Sequence, residues 1–120
     1  MSFKFNIHKP IYVQLADEIK QRIALGIYRV NEKLPSVREF AEEFSVNPNT
    51  MQKALTELEN EGYIYTERTT GKFVSSKDGL SKELKMEMAR EVLNEYMNQM
   101  LKLGFAPKEA QEFIKTYGRE

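Results

Sequence analysis

The chain has 120 residues, 41% of them hydrophobic and 30% charged, enough for one globular unit with a small appendage. It carries no cysteine, which excludes a disulfide framework, a thiolate metal site and a cysteine nucleophile. Eighteen basic side chains balance eighteen acidic ones, so any attraction to nucleic acid must come from local patches rather than from net charge.

The opening stretch MSFKFNIHKP has no apolar run of signal-peptide length, and no later stretch approaches membrane-spanning length. The expectation is a cytoplasmic chain without a membrane partner. His8 is the only histidine and has no second ligand at metal-binding spacing, so neither a metal site nor a cofactor is expected. From Pro10 to about Leu25, the recurrence of Ile11, Leu15, Ile19 and Ile23 predicts an amphipathic helix, with Tyr12, Ala16 and Leu25 widening its stripe and Gly26 ending it.

The segment IYRVNEKLPS has no helical period, and Pro35 makes Leu34 extended. Ser36 then fits an N-cap, Glu39 completes a capping box, and Val37, Phe40, Ala41 and Phe44 form the buried face of a second helix of about two turns. After the break Ser45-Val46-Asn47, a third helix opens with Asn47 as cap and Pro48 at its first position. Met51, Ala54, Leu55 and Leu58 give it a core face, and Gly62 stops it. Two short helices joined by a tight turn form a helix-turn-helix pattern. The β-prone runs YIYTERTT and GKFVSS follow, meeting near Thr70-Gly71 as a hairpin. The order predicts a mostly helical α+β fold, a winged helix-turn-helix over residues 1–76.

Residues 77–82 open the polar stretch KDGLSKEL and are expected to link this domain to a two-helix tail over 83–120. In the tail a long helix to Leu103 carries Leu84, Met88, Val92, Leu93, Tyr96, Met97, Met100 and Leu101. Gly104 ends it, and Pro107 opens a last helix with Ala110, Phe113, Ile114 and Tyr117 on one side. Two amphipathic helices cover one another only in part, so the remaining apolar surface should pack on a second copy of the chain. The expected dimer contacts are Val92, Tyr96, Met97, Met100, Phe113, Ile114 and Tyr117. The same aromatic and methionine stripe could line a small-molecule pocket, but core or dimer interface is the commoner use.

With the third helix's core face turned inward, Asn49, Gln52, Lys53 and Thr56 project outward, where Asn and Gln amides can pair with adenine and Lys53 can reach guanine or a phosphate. Read without context, Asn47 and Asn49 could equally be helix-start residues and Gln52-Lys53 a solvated face. Arg38 sits in the first turn of the second helix, where the helix dipole disfavours a cation and a phosphate would compensate; an ordinary pair with Glu42 is the alternative. Arg68 and Lys72 flank the hairpin tip, a natural place for minor-groove or phosphate contact, or for exposed charge without a role. No nucleophile-base pair or phosphate-cradling glycine loop is visible, so no catalytic residues and no enzyme are expected.

The run GIYRVNEKLPSVREFAEEFSVNPNTMQKALTELENEGYIYTERTTGKFV resembles the DNA-binding domain of GntR-type bacterial transcription regulators, through LPSVREFA, TMQKALTELENEG and GKFV in order at fixed spacing. VNPNTMQKAL and the short tail resemble the YtrA-like branch. The chain departs from the wider pattern at Pro48 and Gln52, where many members carry arginine, and at the wing, where two glycines are usual and Thr69 and Gly71 stand here. The resemblance implies a DNA-facing set of Ser36, Arg38, Asn47, Asn49, Thr50, Gln52, Lys53, Arg68, Thr70, Gly71 and Lys72. It also implies a homodimeric repressor on a two-fold, double-stranded DNA operator, with a transporter operon as a frequent target in the branch. A winged-helix protein-interaction module without specific DNA binding is the alternative, kept alive by the zero net charge. Whether a small-molecule effector exists is left open; residues 75–84 are where one would act, by shifting the spacing of the recognition helices.

Overall fold

The computed structural model describes residues 3–119. Over these the chain forms helix α1 (Ile11–Ala24), α2 (Val37–Phe44), α3 (Pro48–Asn60), strands β1 (Ile64–Glu67) and β2 (Gly71–Val74), then α4 (Leu80–Lys102) and α5 (Pro107–Ile114). This is the mostly helical winged fold with a short helical tail. The chain divides into two compact units, the first ending at Lys85 and the second beginning at Met86.

In the first unit α3 is the central element, with α1, α2 and β1 packed on it. Leu15, Ile19 and Ile23 of α1, Phe40 of α2 and Met51, Leu55 and Leu58 of α3 are wholly or almost wholly withdrawn from water. Each such side chain contributes about 1.5–3 kcal/mol relative to an exposed one. Ile11 and Leu25, expected on the apolar stripe, are instead exposed. Ile11 is the first residue of the helix and Leu25 its C-cap, so neither has a neighbouring turn to pack beside. Arg22 ties α1 to α2 by bonding to Glu18 at 3.0 Å, to Tyr28 Oη at 2.9 Å and to Glu43. Its guanidinium, which also lies over the Phe44 ring, is held still more firmly protonated than usual, chiefly by Glu43.

Local signals account for the helix starts. The Ser36 hydroxyl accepts from the Glu39 N–H at 3.1 Å and the Ser36 N–H donates to the Glu39 carboxylate at 2.9 Å, closing the capping box. The turn between α2 and α3 is made by Ser45 in the left-handed region at φ 55°. The Asn47 side chain then accepts from the Asn49 N–H at 2.7 Å, and Pro48 stands where no helical donor is needed.

The wing is antiparallel, with Ile64 opposite Val74 and Glu67 opposite Gly71. Its turn is Arg68 to Thr70, slightly earlier than the sequence suggests. Residues 31–34 add a third edge: Lys33 bridges Phe73, the Asn31 N–H donates to the Val74 carbonyl at 3.0 Å, and the Leu34 N–H donates to the Lys72 carbonyl at 2.9 Å. The hairpin thus borrows a partner from the segment that leads into α2.

Helix α4 starts at Leu80, inside the stretch expected as a linker. Leu80 and Leu84, one turn apart, are both 1% exposed, and the Ser81 hydroxyl donates to the Ala24 carbonyl at 2.7 Å. An apolar pair at that spacing gives the helix an anchor that the polar residues around it conceal in the sequence. In the second unit Met100 and Ala110 are the buried side chains among the described residues. The Tyr96 hydroxyl donates to the Ala110 carbonyl at 2.8 Å, and the Phe105 and Phe113 rings lie 6.1 Å apart. No helix among the described residues is long and apolar enough to cross a membrane.

Candidate nucleic-acid interface

The outer surface at the start of α3 is polar. Asn49, Gln52 and Lys53 are exposed and Thr50 is half-buried. The side-chain oxygen of Asn47 is engaged as the helix cap, so its first role is structural. Gln52 donates to the Thr56 hydroxyl at 3.2 Å along the same face, whereas the Asn49 side chain has no partner among the described residues. The Lys53 ammonium lies 4.0 Å from the centre of the Tyr12 ring. The Asn49 N–H is taken by the Asn47 side chain and the Met51 N–H by the Asn47 carbonyl, so what favours an anion at this end is the positive pole of the helix dipole.

Two further cations are exposed on α2 and in the wing turn. Arg38, in the first turn of α2, is exposed and makes no ion pair among the described residues, so the pairing with Glu42 does not form. Arg68 stands exposed in the wing turn and makes no ion pair among the described residues. Thr70 shares that turn, its N–H donating to the Glu67 carbonyl at 3.3 Å. Gly71 has φ +122°, and a side chain built there would meet the Lys33 stem at 3.2 Å, so the glycine leaves room for Lys33 beside the turn end of the wing. Between the wing and the Ser36 end of α2 lies a cleft of about 390 Å³ that Lys33, Ser36, Arg68 and Thr70 help to line.

Lys72 takes a different position from the hairpin tip imagined from sequence. Its side chain is only 17% exposed and bonds the Thr66 hydroxyl at 3.0 Å and Glu59 at 3.3 Å. Because residue 72 stands opposite residue 66 in the sheet, the ammonium lies across the strands and reaches the last turn of α3. The Thr66 hydroxyl, then Lys72, hold the Glu59 carboxyl below its ordinary range. Glu61 pairs with Lys20 at 2.9 Å. Two of the acids at the C-terminal end of α3 are therefore neutralised, and they lie at the opposite end of the helix from Asn49.

In the tail, Val92, Phe113, Ile114 and Tyr117 are exposed, and Tyr96 and Met97 are half-buried. Met100, expected at the same surface, is 7% exposed and belongs to the tail's own small core. An open apolar groove of about 410 Å³ runs along Tyr96, Phe113, Ile114 and Tyr117. His8 is exposed, and no group of three metal-ligating side chains occurs among the described residues.

Two residues beside these candidate positions, Lys33 and Tyr12, carry little signal in the sequence. Lys33 carried no signal except its place just before Leu34-Pro35. Tyr12 was absorbed into an apolar stripe, although a tyrosine at the solvent edge of such a stripe is suited to a polar or cationic neighbour.

Comparison with known proteins agrees with this geometry. The family described as bacterial regulatory proteins, gntR family, matches residues 11–74, from the start of α1 to the end of β2. The chain is 42% identical over 117 residues to the uncharacterized HTH-type transcriptional regulator YhcF of Bacillus subtilis, covering 98% of this chain and 97% of that one. It is 38% identical over 107 residues to the HTH-type transcriptional repressor YtrA of the same organism, covering 88% and 82%. A GntR family transcriptional regulator from Listeria monocytogenes superposes with a TM-score of 0.81 at 36% identity, covering 93% of this chain and 98% of that one. These relatives are transcription regulators, not enzymes. With the helix-turn-helix and wing inside the matched region and full-length relatives collinear with it, the chain belongs to the GntR family of DNA-binding transcriptional regulators, in its YtrA-like branch.

Proposed function

We propose that this regulator is a cytoplasmic repressor that binds a two-fold operator as a homodimer, the winged domain contacting DNA and the tail joining the two copies. The observation that carries the reading is the exposed polar start of α3 together with two exposed arginines, Arg38 on α2 and Arg68 in the wing turn, whose side chains make no hydrogen bond or ion pair among the described residues. In this reading Asn49 and Gln52 enter the major groove and pair with base edges, adenine being the best match for their amides. Ser36, Arg38 and Thr50 hold the flanking phosphates. Arg68, with Thr70 and Gly71, follows the neighbouring minor groove or backbone. Lys72 contributes by fixing the wing against Glu59.

Dimerisation is supported by the exposed tail surface of Val92, Phe113, Ile114 and Tyr117, which a monomer would leave in water. Repression is supported by the naming of the relative YtrA as a repressor. A transporter operon is the target we infer from the habit of the branch.

The test is binding of the purified protein to the DNA upstream of its own gene and to scrambled DNA of equal length, at several salt concentrations, with molar mass measured in parallel. The reading expects a dimer that prefers the upstream duplex and weakens as salt rises. A monomer, or binding indifferent to sequence at every salt concentration, would overturn it.

A further inference from the structure

Lys53 is the one side chain on the outer surface of α3 for which base and backbone contact are equally open from sequence, and its surroundings separate the two. It lies one residue round the helix from Gln52, on the side that faces α1. There its ammonium rests 4.0 Å from the centre of the Tyr12 ring. Tyr12 is half-buried in the first turn of α1, so the ring is anchored to the body of the domain rather than to the helix that carries the lysine. No carboxylate among the described residues pairs with Lys53.

We infer that Tyr12 is a positioning residue for DNA binding, its ring holding the Lys53 ammonium at the α1 flank of the recognition helix, where it meets the sugar-phosphate backbone rather than a base. The inference rests on the DNA-facing role proposed for α3. Three physical points support it. A free lysine stem is among the most flexible side chains and loses that freedom when it docks, so ordering it beforehand lowers the cost of binding. The face of an aromatic ring attracts the ammonium without engaging its N–H donors in an ion pair, so they stay available to an anion. Finally, lysine is a compact point charge without the fork needed for bidentate pairing to guanine, which suits a phosphate at the groove edge. Lys53 therefore adds affinity without sequence preference, and the specificity of α3 is left to Asn49 and Gln52.

The experiment titrates wild-type protein, Tyr12→Phe, Tyr12→Leu, Lys53→Ala and the double variant Tyr12→Leu/Lys53→Ala against the upstream duplex and its scrambled counterpart over a salt series, with thermal melts to confirm folding. The slope of log affinity against log salt should fall by about 0.9 in Lys53→Ala, as for one lost phosphate contact. Tyr12→Leu should weaken both duplexes alike by about two- to fivefold, the range of a surface cation–π contact. Tyr12→Phe should bind as wild type, and the double variant should be no weaker than Lys53→Ala alone. Wild-type affinity in Tyr12→Leu, full additivity in the double variant, or a loss in Tyr12→Phe equal to that in Tyr12→Leu would each overturn the platform role. A loss confined to the upstream duplex would make Lys53 a base reader and overturn the backbone assignment. If wild-type protein binds neither duplex, the proposed function itself falls and takes this inference with it, whereas normal wild-type binding isolates the fate of Tyr12.

Discussion

In the unit that ends at Lys85, helices α1, α2 and α3 bury Leu15, Ile19, Phe40, Met51, Leu55 and Leu58 against one another; in the unit that begins at Met86, Met100 and Ala110 are the buried side chains among the described residues, while Val92, Leu101, Leu103, Phe113 and Tyr117 face outward. Both units carry apolar residues at helical spacing. The difference is that three helices crossing at a common centre enclose their apolar faces, whereas two helices enclose only a strip of each. The first unit has a core of its own, and the second has half of one. The division fits the proposal that one part presents α3 to DNA and the other joins two copies of the chain.

The largest expected effect is on the enclosed core. Phe40→Ala removes a fully buried ring that also stacks with Phe44 at 6.1 Å. It should cost about 3–5 kcal/mol in chemical denaturation, enough to abolish DNA binding at moderate temperature. A cost below about 1 kcal/mol would mean that the first unit is less tightly packed than its burial implies. The matching change in the tail is Val92→Asp, at a side chain 68% exposed. It should leave the unfolding of the winged unit intact and weaken the proposed dimer by about 2 kcal/mol or more, roughly 30-fold. Molar mass against concentration reads this directly, and an unshifted dissociation curve would remove that face from the interface.

The same contrast explains what the sequence disclosed. Elements specified by neighbours in the chain were legible: the Ser36–Glu39 capping box, Asn47 and Pro48 at the start of α3, and the four-residue recurrence through Leu15, Ile19 and Ile23. Features that depend on segments distant in the chain were not. The third edge of the wing requires residues 31–34 to meet Phe73 and Val74, and no local pattern announces that pairing. The docking of Leu80 and Leu84 was hidden by the polar residues between them. At the candidate site, residue type identified Arg38, Asn49, Gln52 and Arg68 correctly as exposed. It could not reveal that Lys72 bonds to Glu59 or that Lys53 rests on Tyr12, because both depend on which element stands opposite.

A smaller effect separates binding from folding within the first unit itself. Arg38→Ala and Arg68→Ala remove exposed side chains that have no ion-pair partner among the described residues, so each should change stability by no more than about 0.5 kcal/mol. Each should nevertheless weaken operator binding by about 1.5 kcal/mol, roughly tenfold, as for a lost charge-assisted hydrogen bond, and lower the salt slope by about 0.9. Loss of stability in step with affinity would show that these arginines support the fold. Lys72→Ala should behave in the opposite way, losing the brace to Glu59 and changing the melt.

The smallest expected effect is in the acid limb of stability, read at Asp17 and Glu59, both in the first unit. Glu59 is held below its ordinary value of 4.5, first by the Thr66 hydroxyl and then by Lys72. A depressed folded-state pKa means that its contribution is complete above 4.5 and is lost as pH falls through the lower folded value. Asp17 runs the other way: burial raises its pKa above 3.8, so its ionised form costs stability at neutral pH, and that cost disappears as it protonates. Because Glu59 is 41% exposed, solvent screening limits its share to about a few tenths of a kcal/mol. Glu59→Gln should therefore be slightly less stable than wild type at pH 7 and converge with it below pH 4.5, whereas Asp17→Asn should be slightly more stable at pH 7 and converge from the other side. Both differences should persist unchanged in the Val92→Asp background, because Asp17 and Glu59 both lie in the first unit; a shift in either curve there would couple the acid response to dimerisation.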